Sequence, residues 1–138
     1  TCTDYERVEF ETLLQESDIL SLHCPLSDRT RGLINKDALS KMKETAILVT
    51  VARGPVVDTQ ALYDALVTDQ IAGAGLDVLE QEPMAKDNPL AQIKDSTKLI
   101  ITTHMAWASL ESRTPLVDEV VKNIEAFLAG ENRNVVNL

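Results

Sequence analysis

Four short apolar runs, each closing on a polar or glycine-containing corner, constrain this chain more than any other feature. They are "DILSLHCP" (18–25), "TAILVTVARG" (45–54), "IAGAGLDVLE" (71–80) and "TKLIITTH" (97–104). Runs of this length, alternating with amphipathic stretches of ten or more residues, read as strands of a parallel sheet joined by helices. Helices are predicted over 9–16, 36–42 and 59–68. Asp58 is placed to cap the third, because its carboxylate can accept backbone N–H groups that have no partner inside the helix. Leu62, Ala65 and Leu66 share one face of that helix. A longer helix is predicted over about 115–128, where Leu116, Val117, Val120, Val121, Ile124, Phe127 and Leu128 recur at three-and-four spacing before Gly130, a natural C′ residue. The one long irregular connection is "EQEPMAKDNPLAQ" (80–92), and no internal repeat interrupts the pattern. The expected class is α/β.

Composition narrows the function. The chain has 138 residues, 44% apolar and 25% charged, enough for one globular core. Its net charge of -9 opposes binding to phosphate polymers or anionic membranes, so neither nucleic acid nor a membrane is an expected partner. No apolar run approaches the roughly 18–20 residues of a membrane span, and the first residues lack the basic-then-apolar order of a secretion signal. Cys2 and Cys24 form neither a ligand set nor a disulfide framework. A reducing, cytoplasmic setting is the resulting expectation.

Ligands of open parallel sheets bind beyond the carboxyl ends of the strands, and the notable polar residues lie at those ends. Cys24 and Pro25 follow the first run, Arg53 the second, Asp77, Glu80 and Glu82 the third, and His104 the fourth. Each has a plain alternative. Arg53 fits a surface ion pair, but between Ala52 and Gly54 its planar fork also suits a small carboxylate. His104 fits a packed core residue, or an acid/base group if a carboxylate accepts from one ring nitrogen and leaves the other to give or take a proton. Glu82 and Glu80 are both candidates for that carboxylate. Asp77 serves either as an N-cap or loop brace, or as an acceptor for a cofactor amide or ribose hydroxyl. His23 is assigned a packing or backbone-bonding role, Cys24 a packed thiol, and no metal is expected. Trp107 is a pocket wall or a packing residue.

The segments "LHCPLSDRTRGLINKDALSKMK", "ILVTVARGPVVDTQALYDAL", "IAGAGLDVLEQEP", "NPL" and "THMAWAS" occur in an order that resembles the D-isomer specific 2-hydroxyacid dehydrogenases. The match covers about residues 18–109, and "THMAWAS" resembles the glycerate dehydrogenase or hydroxypyruvate reductase branch. The resemblance implies the C-terminal part of a Rossmann-like doubly wound sheet and hydride transfer between a 2-hydroxy acid and its 2-oxo acid, with NAD or NADP as cofactor. It implies that Arg53 binds the substrate carboxylate, that Glu82 rather than Glu80 holds the histidine, and that His104 moves the proton. Cofactor contacts carry over to Cys24, Pro25, Val51, Ala52, Asp77, His104, Met105, Ala106 and Trp107, and the full-length protein is expected to be a homodimer.

The chain departs from the family pattern in Thr50, where Asn is common, and in Thr103, where Pro is common. The larger departure is the G-x-G-x-x-G turn that brings backbone N–H groups to a pyrophosphate; "AGAG" (72–75) lacks its spacing. Residues 1–114 are therefore expected to form a partial NAD(P)-binding domain without its glycine-rich first half. Residues 115–138 are expected to return to a substrate domain that is mostly absent. If the chain begins after the second strand of the order 3-2-1-4-5-6, its sheet should lose its centre, and the chain alone should be inactive. Two other readings stand beside the enzyme: a noncatalytic corepressor-like relative, and a remnant that packs through its C-terminal helix.

Overall fold

A computed structural model describes residues 5–136; Cys2 and the last two residues lie outside that range. Its contacts divide the chain into two compact units, one running to His104 and the other starting at Met105.

The first unit contains α1 (Phe10–Glu16), β1 (Ile19–Leu22), α2 (Lys36–Ser40), β2 (Ile47–Thr50), α3 (Thr59–Val67), β3 (Gly73–Leu76) and β4 (Leu99–Ile101). Short 3-10 turns at Gly54–Val56 and Pro89–Gln92 interrupt the longer loops. All four expected strands form, and all three pairings are parallel. Each is shorter than its apolar run, because residues at both ends of the runs fall outside the strands, and those past the carboxyl ends carry the polar groups.

The sheet is continuous, with order β1-β2-β3-β4. This corrects the expectation of a sheet without its centre. In the order 3-2-1-4-5-6 the strands after the switch point are consecutive neighbours, and the four strands here are likewise consecutive neighbours and parallel throughout. Chain direction explains it: successive crossovers of the same sense add each new strand beside the last.

Helices cover one face of the sheet. Leu20, Leu22, Leu48 and Leu76 join Leu14 of α1, Leu39 of α2, and Leu62 and Leu66 of α3 in one buried cluster. Fully burying each such leucine contributes about 1.5–3 kcal/mol. Alternate strand residues point the other way, and nothing in this unit covers them: Ile19 is 65% exposed and Ile100 60%. Asp58 caps α3 as expected, accepting from the Ala61 N–H at 2.9 Å. The loop after β1 is pinned to the loop after β2 by Gly32 N–H to Pro55 O (2.8 Å), Ile34 N–H to Val56 O (3.0 Å) and Asp58 N–H to Ile34 O (2.9 Å).

The second unit is dominated by α4 (Leu110–Leu128). It starts five residues before the expected Pro115, because Ser109 caps it through the Ser112 N–H and Pro115 is tolerated inside. Gly130 ends it at φ +76, with Gly130 N–H to Phe127 O and Glu131 N–H to Ala126 O, a Schellman arrangement. Its apolar stripe lies open, from Leu116 at 55% exposure to Phe127 at 81%. No helix among the described residues is long and apolar enough to cross a membrane.

Candidate active site

The exits of β1 and β2 enclose a cavity of about 450 Å³ lined by His23, Cys24, Pro25, Leu26, Val51, Ala52 and Arg53. Cys24 and Leu26 pack against the core on one side of it, and Ala52 is buried on the other. Arg53 lies three residues past Thr50, the last residue of β2, in extended backbone (φ -146, ψ 139). The guanidinium is exposed, and its Nη1 donates to the Ala52 carbonyl at 2.8 Å. His23 corrects the expectation of a packing or backbone-bonding residue. It is exposed and its Nε2 meets Ser21 Oγ at 2.8 Å, because β1 ends at Leu22 and His23 shares the open parity of Ser21.

The exits of β3 and β4 build the second part. His104 Nδ1 lies 2.8 Å from Glu82 Oε2, so with an ionised carboxylate Nδ1 carries the proton and donates it. The other carboxylate oxygen of Glu82 accepts from the Leu79 N–H at 2.8 Å. That backbone bond is the main reason the Glu82 carboxyl is held below its ordinary pKa; the bond to His104 adds to it, and the Asp77 charge opposes it. Glu80 turns elsewhere. It accepts from Thr59 Oγ1 at 3.3 Å and lines a separate cleft of about 830 Å³ that contains none of the expected site residues. The choice between the two glutamates therefore lies in the turn: Glu82 folds back on the Leu79 amide and Glu80 does not.

His104 itself sits at φ +54, a left-handed backbone that costs a non-glycine residue on the order of 1–3 kcal/mol. Its position at the β4 exit and its bond to Glu82 hold it there. Asp77, directly after β3, is buried, donates its N–H to the Thr50 carbonyl at 2.9 Å and accepts from the Thr102 hydroxyl. Met105, Ala106 and Trp107 belong to the second unit, where the Ala108 N–H closes a turn on the Met105 carbonyl at 2.9 Å; Trp107 is 55% exposed.

A backbone contact links the two parts. A Cβ on Gly54 would meet the carbonyl carbon and oxygen of Leu79 at 1.9 Å and the Glu80 nitrogen at 2.3 Å. The residue after Arg53 is thus pressed against the turn whose Leu79 N–H orients Glu82. Sequence reasoning did not find this, nor the Thr102 bond. The only available signal was a glycine beside Arg53 and a hydroxyl two residues before His104. Cys24 is a free thiol among the described residues.

The sequence and the fold are both matched by known proteins. Residues 2–106 match the family described as D-isomer specific 2-hydroxyacid dehydrogenase, NAD binding domain. The chain belongs to this family. A hydroxypyruvate reductase from Blautia hydrogenotrophica is 47% identical over 130 residues, 94% of this chain and 39% of that protein. A glycerate dehydrogenase from Methylorubrum extorquens is also 47% identical, over 94% of this chain and 41% of its own length. The chain therefore spans about two fifths of these relatives. Among solved structures, the D-lactate dehydrogenase of Aquifex aeolicus complexed with NAD and lactic acid superposes with a TM-score of 0.82 at 35% identity, over 90% of this chain and 41% of that one. The family membership and the Rossmann-like α/β class read from the sequence are both borne out.

Proposed function

We propose that this chain carries the proton-transfer and substrate-binding side of an NAD(P)-dependent D-2-hydroxyacid dehydrogenase acting on glycerate and hydroxypyruvate or a close homologue. The observation that carries it is the Glu82–His104 pair, with Glu82 tied at its other oxygen to a backbone amide. A carboxylate fixed on both oxygens holds the imidazole in one tautomer and stabilises the imidazolium. The cofactor, when bound, supplies or accepts the hydride at C2 of the acid. The Cys24, Pro25, Val51 and Ala52 wall fits a nicotinamide-sized ring, since it is small, largely apolar and opens beside Arg53. Asp77 completes the cofactor contacts of the first unit in this reading, the family resemblance adds Met105, Ala106 and Trp107, and residues outside this sequence cradle the pyrophosphate.

Arg53 binds the carboxylate of the 2-oxo acid with its fork and polarises the neighbouring carbonyl. In reduction the His104 imidazolium gives its Nε2 proton to the carbonyl oxygen, which becomes the hydroxyl; in oxidation the neutral imidazole takes that proton back. Glu82 stays ionised throughout. The open stripe of α4 packs against the substrate-binding part of a cytoplasmic homodimer, and residues 115–138 belong to that return. A noncatalytic, partner-binding role is less well supported, because it gives the anchored dyad nothing to do and the relatives named above are enzymes.

The test is hydroxypyruvate-dependent NADH and NADPH oxidation by the full-length protein carrying this chain. Arg53→Ala should raise KM for the oxo acid and lower kcat, together about 10- to 150-fold in kcat/KM, the equivalent of about 1.5–3 kcal/mol for a charge-assisted contact. Wild-type protein that turns over no 2-oxo acid, or an Arg53→Ala variant with unchanged kinetics, would overturn the assignment.

A further inference from the structure

Two side-chain bonds join the loop after β3 to the segment after β4. Glu82 to His104 is one of them. The other runs from the Thr102 hydroxyl to Oδ1 of Asp77. Asp77 is 6% exposed, and Thr50 and Asp77 are the buried polar residues among those described. A carboxylate so placed is costly unless hydrogen bonds satisfy it, and an O–H donated to an ionised oxygen is a strong way to do so. The backbone brings the two residues together before their side chains meet. Asp77 N–H donates to the Thr50 carbonyl and Thr102 N–H to the Leu76 carbonyl, each at 2.9 Å, so both residues extend the ladders of the sheet.

We propose that Thr102 is a positioning residue of the dehydrogenase site. Its hydroxyl holds the Asp77 carboxylate in the orientation that meets the cofactor. It also clamps the β4 exit to the β3 exit, two residues before His104. The inference rests on the reading above that Asp77 faces the cofactor. Valine keeps the branching at Cβ, and with it the extended backbone preference, while removing the Thr102 hydroxyl; serine restores it. Thr102 is exposed outside this bond, so neither change opens a core cavity.

The experiment titrates the full-length protein carrying this chain with NADH and with NADPH alone, by calorimetry, and records melting of the cofactor-free protein as a check on folding. Thr102→Val should weaken binding of the preferred cofactor about 10-fold, the equivalent of about 1.4 kcal/mol. Thr102→Ser should bind within about twofold of wild type, since the charge-assisted bond is remade. Asp77→Asn should weaken binding at least as much as Thr102→Val. If Asp77→Asn weakens binding and Thr102→Val does not, the role of Thr102 is overturned and the reading of Asp77 survives. If Asp77→Asn binds normally, that reading and this inference fall together. Equal weakening in the valine and serine variants would show that side-chain shape matters and the hydroxyl does not, which also overturns the proposal.

Discussion

Gly54→Ala is the sharpest perturbation this structure offers. The new Cβ would stand 1.9 Å from the Leu79 carbonyl group, and real Cβ atoms essentially never approach closer than 3.0 Å. The atoms it meets are backbone, so no side chain can rotate away. The Arg53 loop and the Leu79–Glu82 turn must separate by about 1.1 Å, the difference between those two distances. That displacement falls between Arg53, the proposed carboxylate clamp, and the Glu82–His104 pair. A misplacement of about 1 Å costs on the order of 100-fold in rate when reacting groups must stay aligned. Overpacking of this kind also destabilises by about 1–3 kcal/mol. Steady-state reduction of hydroxypyruvate by the full-length variant should therefore show kcat/KM lowered about 100-fold, with much of the loss in kcat, while denaturant unfolding shows a native transition at a lower midpoint. A variant with wild-type kcat/KM and an unchanged midpoint would mean that the close approach of the two loops does not matter, and the coupling argued from it would be wrong.

Glu82→Gln tests the anchored carboxylate through pH. A carboxyl held below its ordinary pKa by native contacts contributes stability that is fully present above the ordinary value, about 4.3, and is lost as pH falls through the lowered one. The melting-temperature gap between wild type and Glu82→Gln should therefore be largest near neutrality and shrink below about pH 4; a gap constant with pH would refute the linkage. Asp58→Ala should cost about 1 kcal/mol in denaturant unfolding by removing the α3 cap, with Asp58→Ser close to neutral. An unchanged midpoint in Asp58→Ala would show that the cap contributes nothing.

Much of the fold is legible because strands and helices are local. The four apolar runs became four parallel strands, the Asp58 cap and the Gly130 stop formed as read, and the α4 stripe kept its spacing. What failed depended on which strands are neighbours. The sheet was expected to be broken, since strand identity within a doubly wound order is not encoded in any one run. His23 was expected to pack or to bond backbone, since the residue at which β1 leaves the ladder decides whether that position faces the helices or the open side.

The sequence by itself determined the kinds of chemistry available: a guanidinium, carboxylates and an imidazole at successive strand exits, in an order that marks the family. Only the tertiary structure decided how they are held. Glu82 differs from Glu80 because it accepts the Leu79 amide, Arg53 is tied to the dyad because Gly54 lets two backbones touch, and Asp77 is braced because Thr102 lies across a strand gap. These contacts join residues more than 20 positions apart, or involve backbone groups that every residue carries, and so they leave no pattern in the order of side chains. They exist only once the parallel ladder has set β3 between β2 and β4.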